Sequence, residues 1–138
     1  MALISTSKTA PICAVLAPFA SDFARVREVI ADVLRSEGIE PVSIGDPNPP
    51  LAEQGPLTTI SRASFVIADI TGENPNVLYE LGFARALRIP VLLIAQVSLH
   101  KIPAYLVGDI VLFYDPADLR EFFDRLSIWI PRSFRAVA

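Results

Sequence analysis

A chain of 138 residues that is 52% apolar can bury a core as a single domain, which excludes a disordered segment or a disulfide-stapled scaffold. Its net charge of -3, with no segment concentrating Lys and Arg, excludes a binder of the nucleic-acid backbone. The single cysteine, Cys13, excludes an intramolecular disulfide and, set in an apolar run, reads as a buried thiol in a reducing, cytoplasmic compartment. No window approaches the roughly 18 apolar residues that cross a bilayer, and the N-terminus lacks a basic leader, so neither a membrane contact nor a signal peptide is expected. The expected organisation is one domain over 1–138, with 1–10 a flexible N-terminal segment.

Residues 12–19, ICAVLAPF, are an apolar run bounded by prolines, too short for a buried helix, and read as the first strand. The next stretch, 21–38, opens with Ser21 as a possible N-cap. Its apolar residues Phe23, Val26, Ile30, Val33 and Leu34 recur at helical spacing, and Gly38 stops it: a surface helix with one buried face. A second strand over 39–46 leads into a proline-rich loop, 46–56, long and irregular enough to border a site. A short helix, 57–64, precedes the wholly apolar third strand FVIADI, 65–70, which ends in a carboxylate. After the loop TGENPN, Asn74 as the cap and Pro75 at the first helical position start a helix through VLYELGFARALRI. PVLLIAQ, 90–96, is a fourth strand, 97–108 is ambiguous, and 109–115 is a fifth strand. An amphipathic helix over 116–130 closes the chain through Leu119, Phe122, Phe123, Leu126, Trp129 and Ile130. Apolar strands alternating with helices imply an α/β fold, a flavodoxin-like or Rossmann-like three-layer sandwich on a five-stranded parallel sheet of order 2-1-3-4-5. Ligands of such sheets bind where the order reverses, beyond the C-terminal ends of strands one and three.

Two carboxylates border that position. Asp69 ends the third strand, and Glu80 lies about one and a half turns into the next helix, four residues after Asn76 on the same helical face. The helix N-terminus favours a phosphate or ribose hydroxyls near 71–76. Between Val77 and Ala84 every other side chain is aliphatic, aromatic or absent, so Glu80 is either a hydrogen-bonding structural group or a carboxylate that acts on an oxocarbenium-like centre. Gly82, costly in mid-helix, reads as a close approach of ligand, backbone or sheet. His100 has no metal-ligand spacing around it and Cys13 no histidine near it in sequence, so no metal and no cofactor is assigned. Phe122, Phe123 and Trp129 read as core or dimer surface, with Ile128 off the main face allowing some intersubunit burial.

The segment ADITGENPNVLYELGFARALRIPVLLI, 68–94, resembles the nucleoside 2-deoxyribosyltransferase-like superfamily and is similar to bacterial TIR-like domains. In the transferases the glutamate of the matching E-L-G segment attacks C1′ of the sugar, so the resemblance implies that Glu80 is the nucleophile. TIR-like NAD hydrolases imply N-glycosidic chemistry at the same place. LAPF, 16–19, looks like the L-A-G-P-F turn of the transferases, with Ala17 for glycine, and places Pro18 and Phe19 against the sugar. Asp69 and Asn76 would position the ribose or base, and Thr71, Asn74 and Tyr79 would complete the contacts. The resemblance sets Ser64 where the transferases carry a base-handling aspartate, leaving Asp69 at the other end of the strand as its substitute. It implies cleavage or transfer of the N-glycosidic bond of a small-molecule nucleoside, deoxynucleotide or related metabolite, by a homo-oligomer. An NAD hydrolase and a non-catalytic nucleotide-sensing module are the alternatives.

Overall fold

The computed structural model describes residues 10–45, 55–98 and 108–135. Its sheet is five-stranded and wholly parallel, in the order β2-β1-β3-β4-β5, as the alternation of elements predicts. The strands are β1 (Ile12–Leu16), β2 (Glu40–Ile44), β3 (Phe65–Asp69), β4 (Val91–Gln96) and β5 (Val111–Tyr114). Helices α1 (Ala24–Ser36) and α4 (Leu119–Arg135) cover one face, and α2 (Pro56–Arg62) and α3 (Pro75–Ala86) the other. Successive side chains of a strand point to opposite faces, so each strand feeds two cores. Cys13, Val15, Phe65, Ile67, Ile94 and Leu112 pack under α1 and α4. Ala14, Leu16, Val66, Ala68, Leu93 and Ala95 pack under α2 and α3.

The boundaries differ from the sequence reading where local hydrogen bonding intervenes. β1 ends at Leu16 instead of running to residue 19, because Pro18 has no N–H to offer a ladder. Ser21 sits inside a 3-10 turn (Ser21–Phe23) and caps nothing with its side chain. Gly38 does end α1: at φ 73° it lets its own N–H reach Arg35 O at 3.0 Å and the Ile39 N–H reach Leu34 O at 2.9 Å. α4 starts three residues late, since Asp118 Oδ1 accepts from the Glu121 N–H at 3.2 Å and serves as its cap.

Phe122 is fully buried, its ring 4.8 Å from that of Tyr114, whereas Phe123 is exposed and Trp129 only partly buried. Cys13 is free and fully buried, and burial pushes its thiol well above the ordinary range. Residues 1–9, most of the proline-rich loop (46–54) and 99–107, including His100, lie outside the described residues. No helix among the described residues is long and apolar enough to cross a membrane.

Gly82 departs from the readings as a close approach of backbone or sheet. It is exposed, and a Cβ there meets nothing within 4 Å among the described residues. Gly82→Ala is therefore expected to raise stability by about 0.5–1 kcal/mol, through lost freedom of the unfolded chain, as read from urea unfolding.

Candidate functional site

The order reverses between β1 and β3, whose ends pair Leu16 with Ala68. The segments beyond them therefore leave the sheet side by side. On the β1 side Pro18 is buried and Phe19 is 41% exposed. Arg27, in the first turn of α1, donates from Nη1 to Pro18 O at 2.9 Å and lays its guanidinium 4.1 Å from the centroid of the Phe19 ring. A Cβ on Gly45, just past β2, would stand 3.8 Å from Phe19, so this wall reaches from β1 toward the end of β2. Arg27 is the residue that sequence reasoning missed here. Its only signal is that it is one of two basic side chains, Arg25 and Arg27, among the first helical residues after the LAPF turn.

On the β3 side the chain makes a 3-10 turn (Thr71–Glu73) in which Gly72 has φ 73° and Glu73 φ 49°. Asn74 then caps α3 as the sequence predicts, its Oδ1 accepting from the Asn76 N–H at 2.9 Å and the Val77 N–H at 3.3 Å. Asn74→Ala leaves those donors without a side-chain acceptor and is expected to cost about 1 kcal/mol, measured by urea unfolding. Thr71 is used twice: its N–H donates to Asp69 Oδ1 at 3.0 Å, and its Oγ1 accepts from the Gln96 N–H at 2.9 Å. Asn76 and Tyr79 stay exposed, Tyr79 at 68%.

The two carboxylates are not brought together. Asp69 follows the parity of Phe65 and Ile67, hence the α1/α4 face, where Tyr114 Oη donates to its Oδ2 at 2.5 Å. It is fully buried, and that burial raises its pKa although Thr71 and Tyr114 bond to it. Glu80 belongs to α3, which packs on the other face. The position expected to carry a base-handling acid is displaced as well. The Ser64 N–H donates to Ile12 O at the N-terminal edge of the sheet, and five residues at about 3.3 Å each put it roughly 16 Å from the end of β3. A side chain at Ser64 does not reach the crevice, so serine there bears on nothing in it.

Glu80 is 9% exposed, among the buried Val77, Leu81 and Ala84 of its own helix. Its Oε2 is buried with no hydrogen-bond partner among the described residues. Burial raises its pKa to about 7. An uncompensated carboxylate is costly in such a place, and the capping or loop-bonding role that would account for it is not seen among the described residues. Chemically it is a desolvated carboxyl that is only about half ionised near neutral pH, and its anionic form is suited to attack or stabilise an electron-poor carbon. Among the described residues no group of three His, Cys, Asp or Glu is arranged to hold a metal ion.

The sheet order and the site beyond β1 and β3 place the chain in the doubly wound α/β class, with the fold of nucleoside 2-deoxyribosyltransferase-like proteins. Two solved structures carry that comparison. The Clostridium botulinum CMP N-glycosidase BcmB is 18% identical, with a TM-score of 0.59 over 83% of this chain and 97% of its own. The 2-deoxyribosyltransferase of Bacillus psychrosaccharolyticus is 20% identical, with a TM-score of 0.58 over 83% of this chain and 95% of its own. No protein-family model and no curated protein matches the chain.

Proposed function

We propose that the chain cleaves or transfers the N-glycosidic bond of a nucleoside or nucleotide in the cytoplasm, with Glu80 as the nucleophile. The observation that carries this reading is the buried, unpartnered Oε2 of Glu80 on the helix that starts at the switch point. In its ionised form the carboxylate attacks C1′. The C1′–N bond breaks, its electron pair leaves with the base, and water or a second base then displaces Glu80 from the sugar. Pro18 and Phe19 wall the sugar on one side, and Thr71, Asn74, Asn76 and Tyr79 border it on the other. Asp69 contributes from behind the loop and does not touch the sugar. The two enzymes that share the fold, a CMP N-glycosidase and a 2-deoxyribosyltransferase, agree with this chemistry.

Chromatography of free base after incubation with deoxynucleosides, deoxynucleotides and NAD tests the proposal. Release from a nucleoside or nucleotide is the expected result. Nicotinamide release from NAD alone favours a TIR-like hydrolase, and nucleotide binding without release favours a sensing module.

We also propose homo-oligomerisation through the exposed side of α4, which carries Ile128, 62% exposed, with Phe123, 40% exposed, on its flank. Arg120 and Asp124 border a groove with Val29, Leu119 and Phe123, and antiparallel pairing of two α4 helices brings Arg120 of one copy within reach of Asp124 of the other. Light scattering is expected to give a dimer mass or a multiple of it, and a monomer mass for Arg120→Glu.

A further inference from the structure

Asp69 is a fully buried carboxylate to which the proposed reaction gives no direct part. One oxygen is held by the Thr71 N–H and the other by Tyr114 Oη, while Thr71 Oγ1 takes the N–H of Gln96. Gln96 and Tyr114 are the paired last residues of β4 and β5. Four groups thus tie the C-terminal ends of three strands to one point on the loop after β3. That loop is strained: Gly72 and Glu73 are both left-handed, at φ 73° and 49°, and Glu73 has a Cβ to accommodate. Such a backbone persists only where its surroundings over-determine it.

We infer that Tyr114 is a positioning residue of the crevice: through Asp69 its hydroxyl holds Thr71, and with it the loop from which Asn74 caps the helix bearing Glu80. The kinetic side of this inference rests on the proposed N-glycosidic reaction; the structural side does not.

Tyr114→Phe keeps the ring against Phe122 and removes only the hydroxyl. Amide exchange at Thr71 and Gln96 is expected to quicken about tenfold or more, with the amides of β1 unchanged. Base release is expected to lose roughly 10- to 100-fold in kcat with KM nearly constant, as for a displaced catalytic frame. Asp69→Asn, which still accepts from Thr71 and still meets the hydroxyl, should leave the exchange of both amides near that of the parent. Unchanged exchange at Thr71 and Gln96 overturns the inference, as does faster exchange with an unaltered kcat. A parent chain that releases no base defeats the reaction instead, and the exchange comparison alone then decides the clamp.

Discussion

Glu80→Gln is expected to abolish base release, by roughly 10³-fold or more, while leaving the protein as stable as its parent or more so at pH 8. The two effects have one origin. The folded carboxyl has a pKa of about 7, raised from 4.5 by burial. Between those values the folded state holds a proton that the unfolded state has lost, so stability is greatest below about pH 4.5 and declines until about pH 7, where the loss is complete. A shift of that size corresponds to a loss of at most about 3 kcal/mol. Glutamine carries no charge to desolvate, so the part of the decline that Glu80 causes should disappear in the variant, leaving the smaller pH dependence that the raised pKa of Asp69 imposes. Activity has the opposite slope: attack on C1′ needs the anion, so base release should rise with pH through about 7. Urea unfolding across pH 4–9 beside the pH profile of base release checks both slopes. Release that survives in Glu80→Gln removes Glu80 from the reaction.

Asp69→Ala is expected to be the most destabilising of the changes considered, at about 3–4 kcal/mol, whereas Asp69→Asn should stay within about 1 kcal/mol of the parent. The contrast separates what Asp69 does from the charge it bears. Alanine leaves the Tyr114 hydroxyl and the Thr71 N–H without their acceptor in a fully buried place, and opens a small void beside them. Asparagine keeps an oxygen for Thr71 and turns an amide toward Tyr114, whose hydroxyl can accept as well as donate. It also relieves the burial that raises the carboxyl's pKa. Urea midpoints for the two variants decide this, and equal losses would show that the charge matters more than the acceptor geometry.

Much of this architecture is written locally. Short, mostly apolar strand runs and helices with recurring apolar positions differ in period, which sets element type and order, and the alternation of the two implies a parallel sheet. The start of α3 is equally local, because Asn74 and Pro75 supply a cap and a fixed φ within two residues. Glu80 stood out for a similar reason, as the one carboxylate in an apolar helical segment. Other features depend on strand parity and register between distant segments. Asp69 and Glu80 are eleven residues apart in the chain, yet strand parity turns one toward α1 and α4 while α3 carries the other on the opposite face. The partner of Asp69 is Tyr114, 45 residues away, and that of Phe19 is Arg27 on the next helix; neither pairing has a spacing signature. Ser64 is tied by its N–H to Ile12 O at the N-terminal edge of the sheet, a full strand length from the crevice. Local propensity and periodicity thus determined the elements, their order and the suspect carboxylate. Which side chains share a face or a hydrogen bond was decided by the closing of the sheet, because alternation and register act only once strands far apart in sequence lie side by side.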